Sequence, residues 1–450
     1  MAVYGDNGKI LATRDNEIGK GYVEAESDRL AASVRAVQSD KTLTTISISD
    51  MHYRDDDADI RAAIEDMADG VKNLRRQIHA DYDVSYGDII YAMWAVDGRT
   101  DRVSYADGLT DAIAAEKAQY DAFGPHRQIR LVGNHDVNAT DSSGTKYFGM
   151  DMLYSLFGSY NECLTRPESY RNRSYGYIDD EYRKLRLICL NTSDFGSGSP
   201  NKGASGNLNY YMSAEQVAWL VDTLDLSDKE DADEWQIIVM AHMAFDQKTM
   251  ANNGYPALLK AYEDGSSGSL LDVAYDFSGG KNAAKLALYI HGHTHAYTVD
   301  NVHVKSGANY PRIKTPRLAI PNALPGRETA ADGTDSNGIV WGIGEEFPKT
   351  PGTKDSTAFV VNTIDPVNKI VYSHHYGAGL DRILHYDPQA ISAATTLTPS
   401  ITATSWATLD SSVATVSSGG KVTPKAAGNV MVYARTSDGT REYFNLAVSV

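Results

Sequence analysis

Apolar residues along the first third of this chain fall into alternating helix and strand rhythms. Residues 24–39 carry Leu30, Val34 and Val37 at helical spacing, and the β-branched run Leu43-Thr44-Thr45-Ile46-Ser47-Ile48 that follows predicts a strand. A second helical stretch covers residues 57–80. The uninterrupted apolar run of residues 89–96 predicts a strand buried on both faces and ending at Asp97. A helix over residues 104–123 then precedes a short strand, residues 128–132, which ends at Gly133-Asn134-His135-Asp136. Strand alternating with helix predicts an α/β layered fold, and in such folds ligands gather beyond the carboxyl ends of the strands.

Further along, residues 175–178 and 184–190 predict a hairpin. Ser213 and Gln216 stand at capping-box spacing and open a helix through Leu224. Residues 235–241 predict a strand ending at His242, and the apolar run of residues 286–290 ends at His291-Gly292-His293-Thr294-His295. Residues 357–375 alternate and predict a hairpin around Asp365-Pro366-Val367-Asn368. From about Ser392 histidine disappears, Thr, Ser, Val and Ala dominate, and turns at Ser418-Gly419-Gly420 and Ser437-Asp438-Gly439 predict a small separate β-sandwich. The predicted organisation is an N-terminal segment with a lead-in helix (1–40), a catalytic domain (41–387) and a small all-β domain (388–450).

Composition narrows the classes. With 42% hydrophobic and 22% charged residues, the chain reads as a globular protein, and its longest apolar run is too short to span a bilayer, so no membrane segment is expected. A net charge of -17 argues against sequence-independent nucleic-acid binding, which needs clustered Lys and Arg. Cys163 and Cys189 alone cannot form a disulfide framework and read as reduced thiols. The first residues lack a basic stretch followed by an apolar one, so no secretory signal is visible. The expected location is therefore either a virion or cell surface reached by another route, or the cytoplasm.

The candidate chemistry lies where the strands end. Asp50, His52, an Asp near position 97, Asn134, His242, His293 and His295 mix oxygen and nitrogen donors, a set suited to Mn, Fe or Zn. They are too many for one tetrahedral ion, whereas two ions could share a bridging carboxylate and activate a water between them.

These residues resemble the calcineurin-like metallophosphoesterase family, whose pattern is Asp-x-His, Gly-Asp, Gly-Asn-His-Asp/Glu, a lone His and Gly-His-x-His. Four of the five motifs match, in order, over about residues 25–385, and Tyr376-Gly377-Ala378-Gly379-Leu380-Asp381-Arg382 is similar to a tail of phage and Gram-positive members. The resemblance implies a layered sandwich of central β-sheets flanked by helices. It implies that Asp50, His52 and His295 hold one divalent ion, that Asn134, His242 and His293 hold the other, and that Mn, Fe, Zn or Ni would serve. His135 would be catalytic and Asp136 would orient its imidazole. The implied reaction is hydrolysis of a phosphomonoester or phosphodiester by hydroxide held between the ions.

The second motif departs from that pattern. The chain reads Ala95-Val96-Asp97-Gly98-Arg99-Thr100-Asp101, with glycine after the carboxylate. Asp97 is taken as the bridge because it ends the apolar run, whereas the literal pair Gly87-Asp88 precedes that run. A third alignment puts Trp94 at the bridge and would cripple the centre. His291 is read as a non-ligand, and His374, His375 and His385 as strand or loop residues.

Residues 406–428 resemble bacterial immunoglobulin-like domains of group 2, which implies a partner on a virion or cell surface; for a protein that is both phage-borne and active, an envelope polymer such as teichoic acid is the expected diester substrate. The competing expectation is a structural or adhesion virion protein that keeps the fold with a degenerate site.

Overall fold

The structure, a computed structural model, describes residues 3–4, 10–12, 20–53, 57–90, 113–115, 117, 127–136, 161–166, 175–194, 212–245, 254–295, 297–301, 313–323 and 347–450. The strand pair β1 (Val3–Tyr4) and β2 (Ile10–Ala12) precedes α1 (Gly21–Val37), β3 (Leu43–Ile48), α2 (Ala58–Arg75), β4 (Tyr82–Ser85) and β5 (Gln128–Arg130). Next come β6 (Gly176–Asp180), β7 (Leu185–Cys189), α3 (Ala214–Leu224), β8 (Gln236–Ala241) and α4 (Tyr255–Asp264). They are followed by β9 (Ser267–Leu270), β10 (Val273–Asp276), β11 (Lys285–His291), β12 (Val299–Asp300) and β13 (Arg317–Ala319). The chain closes with β14 (Ala358–Asp365), β15 (Ile370–Gly377), β16 (Arg382–Ile391), β17 (Thr395–Thr396), β18 (Ser405–Thr408), β19 (Ala414–Val416), β20 (Lys421–Pro424), β21 (Gly428–Arg435) and β22 (Arg441–Val448).

Two mixed sheets carry the fold. The larger runs β18-β21-β22-β16-β15-β14-β3-β4-β5 and the smaller β12-β13-β11-β8-β7-β6. Strands β3, β4 and β5 are parallel, as are β7, β8, β11 and β13, so five candidate loops leave the two sheets from carboxyl ends. Both faces of these strands are buried. In β8, Ile237, Val239 and Ala241 pack against α3 and α4, while Ile238 and Met240 face the other sheet. On the far side, α1 and α2 cover the larger sheet through Leu30, Val34, Ile64, Met67 and Val71 against Ile46, Ile48, Phe359 and Val361. The layers are therefore helices, sheet, sheet, helices, the layered α/β sandwich that the alternation predicts.

Local chemistry accounts for the element ends. The Asp57 carboxylate caps α2 by accepting from the N–H groups of Asp59 and Ile60 (3.0 and 3.1 Å). Ser213 caps α3 through the N–H of Gln216 (3.2 Å). Gln216 does not close the box; its amide donates to the Asn191 carbonyl (2.8 Å) and accepts from the Asn191 N–H (2.9 Å), which ties the loop after β7 to the helix. The hairpin turn at Asp365 forms as predicted, its carboxylate accepting from the N–H groups of Val367 and Asn368 (both 2.9 Å). Cys163 and Cys189 are free thiols. Most of the predicted helix at residues 104–123 lies outside the described residues.

The C-terminal strands join the larger sheet directly. Strand β22 pairs in parallel with β16, from Arg382 opposite Arg441 to Ile391 opposite Val448, so the expected boundary between residues 387 and 388 falls inside β16. Alternate residues of β21 and β22 face two different cores. Val430, Val432, Phe444 and Leu446 pack with Val413 and with Val422 of the small sheet β17-β20-β19, whereas Met431 and Tyr443 pack with Leu288, Ile290 and Tyr297 between the two large sheets. Asn445 extends the same contact, donating to the carbonyls of Lys314 (3.1 Å) and Tyr386 (3.0 Å).

Two outcomes follow for stability. Met431→Ala should cost about 2–5 kcal/mol and lower a single unfolding transition shared with the large sheets; calorimetry showing a separate C-terminal transition would contradict the shared core. The second concerns Asp381, which accepts from the His375 N–H and ring (2.9 and 2.7 Å). Burial would raise its carboxyl, but His374 and His375 outweigh it and hold it below the usual carboxylate range. A depressed acid contributes stability above its unfolded value and loses it as pH falls through the folded one. Asp381→Asn should therefore lower urea stability at pH 7, with the difference from wild type narrowing from pH 5 downward; a pH-independent difference would show that ionisation plays no part.

Candidate metal centre

Five loops at carboxyl ends of parallel strands converge on the seam between the two sheets. Asp50 and His52 follow β3, Gly87 and Asp88 follow β4, Asn134, His135 and Asp136 follow β5, His242 follows β8, and His293 and His295 follow β11. The loops are stitched together by main chain: the N–H groups of Asp50 and His52 donate to the carbonyls of Gly87 (3.0 Å) and Asp88 (2.9 Å), and that of Gly292 to His242 (3.1 Å). Contacts also cross the seam. The His293 N–H donates to Asp50 Oδ2 (2.9 Å), and the Ala323 N–H to the Ser49 carbonyl (3.1 Å).

Asp50, His52, Asp88, His293 and His295 all have positive φ, between 40° and 66°. Side chains pay about 1–2 kcal/mol for this conformation, and such outliers gather where function requires a particular aim. Here they aim donors inward. Asp50, His52 and His295 form one group, Asp88, His242 and His293 a second, and His52, Asp88 and His135 a third that joins them; within each group the ligand atoms lie within 4.8 Å of one another.

Asp88 occupies the centre. Its Oδ2 lies 3.2 Å from His242 Nε2, 3.6 Å from His52 Nε2 and 4.0 Å from His135 Nε2. On one side, Asp50 Oδ1 faces His295 Nε2 at 3.2 Å, and His295 Nε2 lies 3.2 Å from His52 Nε2. On the other, His242 Nε2 lies 3.0 Å from Asn134 Oδ1 and 3.2 Å from His293 Nδ1. His242 Nδ1 donates to the Tyr86 carbonyl (2.6 Å), which in the neutral ring leaves Nε2 as a lone pair facing two oxygen acceptors.

That convergence fits a cation. Asp50 Oδ1 and Asp88 Oδ2 are buried and accept no hydrogen bond among the described residues, although imidazole nitrogens stand close by. Burial would raise both carboxyls, but the neighbouring imidazoles outweigh it, His295 for Asp50 and His242 with His135 for Asp88, and hold them well below the usual range. Burial works against charge on His242, yet Asp88 pushes it up to about 9, while burial and His242 together hold His293 well below its ordinary value. The cluster attracts positive charge, and its mixed nitrogen and oxygen donors suit borderline divalent ions.

The structure brings together Asp50, His52, Asn134, His135, His242, His293 and His295, and it adds Asp88. Asp97 and Trp94 lie outside the described residues. The strand predicted over residues 89–96 lies outside the described residues from residue 91 onward; among the described residues β4 is the parallel neighbour of β3, and Gly87-Asp88 stands at its carboxyl end. Ile89 and Ile90 are instead drawn to the Asp136 carboxylate through their N–H groups (2.7 and 3.2 Å). Asp83 disguised β4: it is a charge in a buried strand, where burial pushes it up to about 7, and Arg75 of α2 supports it (Nε, 2.9 Å). The literal Gly-Asp pair was the signal.

The expected role of Asp136 also changes. Its carboxylate accepts four main-chain N–H groups, from Gly133, Asp88, Ile89 and Ile90, so it organises the loop that carries Asp88 rather than the His135 ring. His291 is buried beside the cluster and belongs to none of the three groups. Asn322, not anticipated from sequence, places its amide 3.4 Å from His295 Nδ1 and accepts from Lys349 Nζ (2.6 Å).

The family profile described as Calcineurin-like phosphoesterase matches residues 43–297, more than half of the chain and all five motif loops. The chain belongs to this family. No curated protein matches it by sequence. A solved structure titled "Structure of PhoD" is similar at 12% identity, with 91% of this chain and 72% of that chain covered and a TM-score of 0.41.

Close approach of the loops yields a direct test. A Cβ on Gly133 would lie 2.1 Å from both the N and Oδ1 of Asp88. Gly133→Ala should displace Asp88 and weaken Mn(II) binding at least about tenfold by calorimetry, with the circular dichroism spectrum kept; unchanged binding would mean the loops do not touch.

Proposed function

We propose that this chain is a metal-dependent phosphoesterase that carries two divalent ions and hydrolyses a phosphomonoester or phosphodiester. The observation that carries this reading is Asp88 Oδ2, a buried acceptor placed between the Asp50–His52–His295 group and the His242–His293 pair. Asp50, His52 and His295 would hold one ion, Asn134, His242 and His293 the other, with Asp88 shared. Two such ions supply Lewis acidity toward phosphoryl oxygens and an activated nucleophile.

The remaining work falls to the chain's own side chains. His135 stands edge-on to His52, ring centroids 4.5 Å apart, and its Nε2 is within 4.0 Å of Asp88 Oδ2. From there it can donate a hydrogen bond to a phosphoryl oxygen or a proton to the leaving alkoxide. Its N–H donates to Asp88 Oδ1 (2.8 Å), which fixes the main chain that carries the ring. The competing reading, a structural or adhesion protein that keeps the fold without activity, rests on the altered second motif and on the C-terminal module; Asp88 at the end of β4 supports the active reading against the first of these. Display on a virion or cell surface, with an envelope phosphodiester as substrate, is supported by the resemblances of residues 406–428 and 376–382.

The test uses purified full-length protein loaded with Mn(II) or Zn(II) and offered p-nitrophenyl phosphate, its bis ester and a poly(glycerol phosphate). Turnover of at least one ester, abolished by chelation and reduced about 10²–10⁴-fold in His135→Ala, is expected. Absence of turnover on all three while two ions are bound would overturn the proposal.

A further inference from the structure

The turn after β4 passes through two consecutive left-handed residues, Gly87 (φ 91°) and Asp88 (φ 52°). This points the N–H groups of Asp88, Ile89 and Ile90 toward one place, and successive main-chain donors of this kind form a concave anion site. The Asp136 carboxylate fills it. Its Oδ2 accepts from Asp88 (3.0 Å) and Gly133 (2.8 Å), and its Oδ1 from Ile89 (2.7 Å) and Ile90 (3.2 Å). The contact is returned, because Asp88 Oδ1 accepts from the His135 N–H (2.8 Å). Each loop thus grips the main chain of the other with a buried carboxylate.

The grip has no slack. Asp88 and Asp136 are at most 1% exposed, and Gly133 approaches the Asp88 main chain so closely that a single added carbon would overlap it. With Oδ1 committed to His135, only Oδ2 of Asp88 remains to face His242 and His52.

We propose that Asp136 is a positioning residue: by filling the main-chain nest at residues 88–90 it holds Asp88 between the two metal subsites and sets their spacing. This rests on the reading of Asp88 as the shared ligand. Asparagine at position 136 offers one acceptor oxygen and turns an N–H₂ group toward N–H donors, so the nest opens and the Asp88 side chain loses its aim.

The experiment is Mn(II) titration of metal-free wild type and Asp136→Asn, with electron paramagnetic resonance of the loaded proteins. Wild type should bind two Mn(II) as an exchange-coupled pair. Asp136→Asn should keep its circular dichroism spectrum, bind the second Mn(II) about 10–100-fold more weakly and lose the coupling. Wild-type affinity and coupling in the variant would overturn the inference. A wild type that binds fewer than two Mn(II) would instead overturn the two-ion reading beneath it. Because Asp136 acts through Asp88, adding Asp136→Asn to Asp88→Asn should bring little further loss of Mn(II) affinity; additive losses would count against it. If Asp136→Asn does not fold, Asp136→Ser is titrated in the same way, and failure of both to fold would make the residue a folding determinant and end the proposal.

Discussion

Negative charge buried at the seam between two sheets is the constraint on which the rest of this structure depends. Asp50, Asp88 and Asp136 are each at most 1% exposed, and ionised carboxylates are not stable in such a place unless they are compensated. Two solutions are used side by side. Asp136 is satisfied by main-chain N–H groups, a compensation the fold provides by itself. Asp50 and Asp88 each keep one oxygen for neighbouring loops and turn the other toward imidazoles, an arrangement that attracts cations. Left-handed main chain, close glycine contacts and the parallel strand order all serve to bring these charges to one spot.

Much of this was legible along the chain, for a physical reason. Strands β7, β8 and β11 are buried on both faces and read as largely apolar runs, while β3 shows as a β-branched run with buried Thr and Ser, so the loops at their carboxyl ends could be located directly. Strand β4 was not, because Asp83 interrupts its pattern and the partner that makes it tolerable, Arg75, lies on another element. The apolar stretch at residue 89 then drew the strand assignment forward. A local pattern cannot show that a buried charge is paired across space, and that information located Asp88.

The roles of individual polar residues were harder still to read. Asp136 sits beside His135 in sequence, yet three of the four N–H groups it accepts come from a loop almost fifty residues earlier. Gln216 matched a capping box and instead ties α3 to the loop after β7. In the C-terminal region, composition marked a change of character but could not reveal that β22 enters the larger sheet. There Val430, Met431 and Val432 are all apolar, and which of them faces which core depends on the partner strand.

The pairing of β3 with β14 has a consequence for how the protein is made. Strand β3 lies near the middle of the larger sheet, but its second neighbour is about three hundred residues further along. During synthesis, β3, β4 and β5 emerge early with one edge of β3 unpaired, and that edge stays open until β14 leaves the ribosome. Closing so long a loop is entropically slow. The nascent chain therefore passes a long interval in which a central strand invites wrong partners, because the helices α1 and α2, already complete, can cover one face of that strand but not its open edge.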